Sequence, residues 1–219
     1  MKDHLIIVAA GVGTRMKADL PKQFLQLAGK PVLLHTLEKS HRFNPKIHIV
    51  VVVHPEYVSF WHDLVLKLGV SIPHTVVEGG SSRFDSVKMG LEAIHEQEGI
   101  VGIHDAVRPL VSLKTLERCF DVARTRGNAI PSIEVPDTVR NAEGEWMDRN
   151  QLRLIQTPQC FEISLLREAY QQSYRSNFTD DASVVQAMGE KLHFVEGNRE
   201  NLKITTMADL RMAEALMSL

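Results

Sequence analysis

Leu5–Val8, an unbroken apolar run, passes directly into Ala9-Ala10-Gly11-Val12-Gly13, and this junction constrains the fold more than any other stretch of the chain. Four consecutive apolar residues read as a strand buried on both faces. The four small residues after it, Ala9, Ala10, Gly11 and Gly13, let the chain turn with almost no side-chain bulk. A group the size of a nucleotide can then approach the backbone amides closely. Arg15, Lys17 and Lys22 follow, with Pro21 fixing the approach to the last. A strand, a small-residue loop and several cations suit a polyphosphate. The same residues also describe an ordinary tight turn with solvated basic side chains, and two glycines do not separate these readings.

Two familiar glycine motifs are excluded. A dinucleotide-binding fingerprint needs a third small residue where Met16 stands, and an acid after the second strand, where the chain has His54-Pro55. A P-loop needs Gly-Lys-Ser/Thr after four intervening residues, and no such run occurs.

Downstream, apolar runs alternate with helical patterns. Strands are expected at 47–53, 70–77 (interrupted by Pro73), 100–103, 129–135 and 192–196. Helices are expected at 32–43, 56–68, 83–98, 113–126, 164–173, 180–188 and 207–217, the fourth ended by Gly127 and the last capped by Thr205 or Thr206. This rhythm predicts an α/β fold with a mostly parallel, Rossmann-like sheet flanked by helices, in a single domain over 1–219. It breaks at Pro136. Residues 137–140 and 145–149 read as a polar hairpin around Asn141–Gly144, and 152–156 returns to the sheet. Such an arm, about 136–151, is marginal alone, and Trp146 within it points to packing on a second copy of the chain. An ordinary surface hairpin is the other reading.

Charge and composition narrow the function. With 25 Lys+Arg against 27 Asp+Glu the net charge is −2, so no global field recruits nucleic acid, and phosphate must be held by local clusters. Cys119 and Cys160 are too few for a disulfide framework, and no apolar run approaches the ~20 residues of a membrane span. No basic head or cleavage site precedes Leu5, so the chain is expected to be cytoplasmic. Ten histidines are scattered without metal-ligand spacing.

In a parallel sheet the ligand lies beyond the carboxyl ends of the strands. The loops there hold Arg15 and Lys22, then Gly79-Gly80-Ser81-Ser82-Arg83 ahead of a helix, then Asp105 and Arg108. An Asp at a strand end suits magnesium or a sugar hydroxyl, and equally a helix cap or an ion pair with Arg108. Lys203 is expected on a short strand near the C-terminus. Thr179-Asp180-Asp181 reads as a helix start, where acids are favoured.

Beyond these individual readings, a longer pattern runs through the chain. It comprises Ala9-Ala10-Gly11-x-Gly13-x-Arg15-Met16, Pro21-Lys22-Gln23-Phe24, Gly79-Gly80-x-x-Arg83-x-x-Ser86-Val87 and His104-Asp105-Ala106-Val107-Arg108-Pro109. Asp137-Thr138, Thr157-Pro158-Gln159, Thr179-Asp180-Asp181-Ala182-Ser183 and Asn201-Leu202-Lys203-Ile204-Thr205 complete it. In this order the chain resembles the cytidylyltransferases of the nucleotide-diphospho-sugar transferase group, and most closely those acting on 2-C-methyl-D-erythritol 4-phosphate. Ribitol-5-phosphate cytidylyltransferases share most of these motifs, and a nucleotide-binding module without turnover is the alternative from another class.

The resemblance implies CTP and a sugar-alcohol phosphate as substrates, Mg2+ as the cation, and a homodimer formed through the arm. It assigns Arg15, Lys22, Arg149 and Lys203 to catalysis. Ala9, Ala10, Gly11, Gly13, Gly80, Arg83 and Ser86 fall to CTP. Asp105, Arg108, Thr138 and Thr157 fall to the acceptor, with Asp105 also the candidate magnesium ligand. Ser81 stands near the expected base contact, where an acidic residue is common in the family.

Overall fold

The computed structural model describes residues 2–11 and 20–218. Its elements in chain order are β1 (Asp3–Ala9), β2 (Gln26–Leu27), β3 (Lys30–Pro31), α1 (Val32–Phe43), β4 (His48–Val53), α2 (Val58–Lys67), β5 (Thr75–Glu78), α3 (Arg83–Glu92), β6 (Ile100–Asp105) and α4 (Leu113–Arg126). These are followed by β7 (Asn128–Glu134), β8 (Val139–Arg140), β9 (Trp146–Met147), β10 (Arg153–Ile155), β11 (Gln159–Glu162), α5 (Ile163–Ala169), α6 (Asp181–Gln186), β12 (Phe194–Glu196) and α7 (Met207–Met217).

Among the described residues the main sheet runs β10-β7-β11-β6-β1-β4-β5, with β12 on β7. β6, β1, β4 and β5 are parallel, while β11 runs antiparallel between β6 and β7. The register sets Val8 beside Asp105, Ala9 beside Val53, and Val53 beside Glu78. The carboxyl ends of four strands therefore open on one edge.

The all-apolar strands work because both faces are covered. Leu5, Ile7, Val51 and Val53 pack with Leu33, Leu37, Trp61 and Phe120 from α1, α2 and α4. Ile6, Val50, Val52 and Ile103 pack on the other face with Phe84, Val87, Leu166 and Val185 from α3, α5 and α6. α3 lies close to the sheet because Gly90 has no Cβ, which would press on Ile6 and Val52. A third, smaller cluster joins Leu27, Val32, Val107 and Ile204 to Leu210 and Ala213 of α7.

Several boundaries differ from expectation. β5 begins at Thr75, because Pro73 has no N–H for a ladder. α3 stops at Glu92 rather than 98, and the Arg167 guanidinium takes the carbonyls of Leu91, Ile94 and Glu96 there. α5 and α6 are shorter than expected by a few residues. The arm pairs only Val139–Arg140 with Trp146–Met147, as a separate two-stranded ribbon turned at Gly144, whose φ is 87°. Residues 201–205 form no strand. That segment is extended, tied by Ile204 N–H to the Val107 carbonyl at 2.9 Å and by burial of Ile204.

Candidate active site

The floor of the site is the end of β1. Gln23, fully buried in the short turn Lys22–Phe24, donates its Nε2 to the Ala9 carbonyl at 2.6 Å and to the Gly11 carbonyl at 3.0 Å. The side chain thus clamps the two ends of the loop together. Phe24, next in sequence, is anchored among the rings of Tyr57, Phe60 and Trp61. Lys22 is thereby placed on the wall of the cleft.

The opposite wall is the turn between β5 and α3. A Cβ on Gly79 would overlap that of Ala10 and stand 3.0 Å from Ser86 Oγ, so only glycine lets the two loops meet. Ser86 Oγ accepts from Gly80 N–H at 3.2 Å and donates to the Ser82 carbonyl at 2.8 Å, which fixes the turn. Ser82 and Asp85 form a reciprocal capping box that starts α3 beside it. Between the walls lies a cleft of about 360 Å³, lined chiefly by backbone and small side chains, with Lys22 also on its lining and Arg83, Asp105 and Lys203 at its charged end.

That end is a cluster around one carboxylate. Asp105, largely buried at the tip of β6, lies 2.9 Å from Lys203 Nζ, 3.3 Å from Arg108 Nε and 3.9 Å from Arg83 Nε. Burial alone would raise its pKa, but Lys203, Arg83 and Arg108 outweigh it and hold the group well below the usual carboxylate range. Arg108 also donates Nη1 to the Asn201 carbonyl at 2.7 Å, tying the 201–205 strap to β6. Arg83 is gripped from behind by Asp181, at 3.0 and 2.6 Å. A second hollow of about 250 Å³ adjoins the first and shares Arg83, Asp105 and Lys203 with it.

Of the residues expected from the sequence, Ala9, Ala10, Gly11, Lys22, Gly80, Arg83, Ser86, Asp105 and Lys203 line the cleft together. Arg108 and Thr157 border the adjoining hollow. The Thr157 hydroxyl is engaged elsewhere, accepting from Asp105 N–H at 3.0 Å and sharing a 2.8 Å hydrogen bond with His104 Nδ1. Its place is to set the end of β6. Thr138 and Arg149 stand on the exposed arm and line neither cavity, and Arg149 donates to the Pro136 carbonyl. Arg15 and Gly13 lie outside the described residues.

Asp105 does not fit the ligand of a resident magnesium. Among the described residues it is the one carboxylate lining the cleft, and it already faces three cations that would repel a dication.

Sequence reasoning missed three contributors. Gln23 and Asn201 were visible only as members of a motif, yet one clamps the loop and the other, through its Nδ2, holds the Thr157 carbonyl at 2.9 Å. His54, at the end of β4, also lines the cleft. Its only signal was its position after a buried strand.

The profile of the 2-C-methyl-D-erythritol 4-phosphate cytidylyltransferase family matches residues 4–219. The chain belongs to that family. It is 47% identical over 220 residues to the 2-C-methyl-D-erythritol 4-phosphate cytidylyltransferase of Phocaeicola vulgatus, covering 99% of this chain and 100% of that one. The Bacteroides fragilis enzyme of the same name is 50% identical over 215 residues, covering 97% and 98%. The crystal structure of the Thermus thermophilus 2-C-methyl-D-erythritol 4-phosphate cytidylyltransferase superposes with a TM-score of 0.79 at 34% identity, covering all of both chains. Family membership agrees with the α/β architecture and with a nucleotidyltransferase's need for a cation-rich cleft.

Proposed function

We propose that this chain joins CTP to 2-C-methyl-D-erythritol 4-phosphate, giving the CDP-linked alcohol and pyrophosphate. The observation that carries the reading is the pair of adjoining hollows that share Arg83, Asp105 and Lys203. One has the bulk-free walls that a nucleotide needs, and the other is a smaller, charged space beside it. A phosphate oxygen of the acceptor attacks the α-phosphorus of CTP, the new P–O bond forms, and pyrophosphate leaves in line with the bond electrons.

An alkyl phosphate is already largely dianionic near pH 7. The chemistry therefore needs no strong base; it needs two polyanions brought together and the growing charge at phosphorus stabilised. Ala9, Ala10, Gly11, Gly13, Gly80 and Ser86 hold the nucleoside. Lys22 and Arg15 are assigned to the triphosphate. Arg108 and Lys203, both held on Asp105 Oδ2, receive the acceptor phosphate beside Arg83, which the CTP cleft shares, and Asp105 Oδ1 is left to a sugar hydroxyl. His104 is no candidate base: burial lowers its pKa to about 4, and the ring is turned to Thr157.

Mg2+ belongs to this reading as an ion brought in on the CTP phosphates, since polyphosphates satisfy it with few protein ligands. The arm supports a homodimer in which Thr138 and Arg149 act in the partner's site. Trp146 and Met147 on the arm, with Leu154 and Ile155 beside it, are exposed apolar side chains that a second copy would cover. The chain acts in the cytoplasm, on soluble substrates, without nucleic acid or membrane. Among the described residues no helix is long and apolar enough to cross a membrane.

The test is pyrophosphate release from CTP with each acceptor. 2-C-methyl-D-erythritol 4-phosphate is expected to exceed ribitol 5-phosphate at least tenfold in kcat/KM, about 1.4 kcal/mol of discrimination. The reverse order would overturn the acceptor while leaving the reaction type.

A further inference from the structure

At the edge of the sheet opposite the cleft, the amino ends of β1 and β4 bring two imidazoles together. His4 and His48 are register partners, with Nδ1 atoms 3.1 Å apart and rings edge to face at 5.3 Å between centroids. Glu96, in the loop between α3 and β6, places Oε2 3.8 Å from His4 Nε2. His4 is wholly buried, and its Nε2 has no hydrogen-bond partner. Among the described residues these three side chains alone offer ligand atoms that all lie within 4.8 Å of one another.

We propose that His4, His48 and Glu96 bind one late first-row divalent cation, with Zn2+ as the reference ion. Two imidazoles and a carboxylate are the donor set that zinc, nickel or copper accept and that magnesium or calcium do not favour. The spacing agrees: two nitrogens bound tetrahedrally at ~2.0–2.1 Å stand about 3.3 Å apart. One ion takes a single nitrogen from each ring, so the facing Nδ1 atoms bind it, and the outer atoms of His48 and Glu96 are already held. His48 Nε2 faces Thr75 Oγ1 at 3.3 Å, which turns its Nδ1 inward. Lys2 Nζ bonds Glu96 Oε1 at 2.7 Å and leaves Oε2 on the Nε2 side of His4, from which the carboxylate would swing onto the ion. Burial lowers the pKa of both histidines, that of His4 to about 4, so both rings are neutral and available near pH 7. His48 and Glu96 are only half-buried, which opens an entry path and leaves space for water as a further ligand. A cation here ties the first strand to β4 and to the loop before β6. It takes no part in cytidylyl transfer, whose residues lie at the other ends of the same strands.

The test uses the full chain stripped with chelator and titrated with ZnCl2 alone, without CTP or acceptor. Calorimetry is expected to give one Zn2+ per chain, and Co2+ in its place to give the visible absorption of a four-coordinate ion. His48→Gln and Glu96→Gln should each weaken binding about tenfold or more. His62→Gln, at an exposed helical site, should not. Zn2+ should raise Tm in the unsubstituted protein but not in His48→Gln, while pyrophosphate release is the same in both without added zinc. Absence of stoichiometric binding would overturn the proposal and leave the pair joined by a shared proton. Equal affinity in His48→Gln, or an equal loss in His62→Gln, would overturn it too.

Discussion

Arg83 and Asp181 stand 98 positions apart and meet in a two-point ion pair, Nη1 to Oδ1 at 3.0 Å and Nη2 to Oδ2 at 2.6 Å. The Tyr170 hydroxyl adds a third bond, donating to Asp181 Oδ1 at 2.6 Å. Asp181 has no exposed surface, so its charge is balanced by the Arg83 guanidinium rather than by water. Burial opposes ionisation of Arg83, and Asp181 more than compensates, raising its pKa above the ordinary value. The consequence reaches the site. The first turn of α6 fixes the direction of Arg83, whose other side faces Asp105.

Asp181→Asn would leave the guanidinium without its counter-charge in a mostly buried place. The expected loss of stability is ~3 kcal/mol by urea denaturation at pH 7, because breaking a buried pair from one side leaves an uncompensated charge. The acceptor KM should rise as well. A variant as stable as the parent would show that the pair holds nothing together.

Gly79→Ala tests the meeting of the two loops. The new methyl would collide with Ala10 Cβ, a side chain with no rotamer to yield, so the loop itself must move. Destabilisation of roughly 1–3 kcal/mol is expected, with a raised KM for CTP. Gly11→Ala is the contrast for stability, since no described atom lies within 4 Å of its Cβ position. Equal effects from both substitutions would argue against a close approach at Gly79.

The pH dependence is set by which groups titrate. Asp105 has a depressed pKa, so its stabilising contribution is present above its unfolded value of ~3.9 and is lost only as pH falls through the lower folded one. His104, at about 4, is neutral over the working range. Neither produces an acid limb near pH 6. The acceptor's own phosphate does, with its second pKa of ~6. The limb of kcat/KM for the acceptor should therefore lie at the pKa measured for the free substrate, and stay there in His54→Gln. A limb away from the free substrate's pKa would show that a group of the protein titrates instead.

For the arm, deletion of 141–146 removes Trp146 and the turn. In the homodimer proposed above, sedimentation should show a weaker association, and the acceptor KM should rise because Thr138 and Arg149 would no longer reach the partner's site. A monomeric product with the parent's acceptor KM would refute a shared site.

The parallel core could be read directly from the chain. Ile49–Val53 and Leu5–Val8 have no polar residue that could face water, so a two-sided sheet is the only home for them. Local capping was equally legible, and Thr206 does cap α7. What escaped depends on distant partners. The end of α3 is set by Arg167, which no local signal links to residue 92. Asp181 looks like an ordinary acid in a first helical turn, and Arg83 like any basic residue in another. Lys203 sits between two apolar residues and suggests a strand, but the Ile204–Val107 backbone bond, the Arg108–Asn201 tie and the burial of Ile204 hold it extended without a ladder. The site was recognisable as a set of residue types along the chain, and its cross-links were not.

The central claim is that cations around the first loop stabilise the transition state, whereas those around Asp105 hold the acceptor. Steady-state kinetics of Lys22→Ala, Arg15→Ala and Lys203→Ala, with both substrates varied, test it most directly. Contacts that strengthen as phosphorus becomes five-coordinate appear in kcat, and contacts equal in both states appear in KM. Lys22→Ala and Arg15→Ala should lower kcat roughly a hundredfold or more, ~3 kcal/mol, with little change in the KM for CTP. Lys203→Ala should chiefly raise the KM for the acceptor. Near-normal kcat in Lys22→Ala and Arg15→Ala would contradict the account and reduce the first loop to a turn.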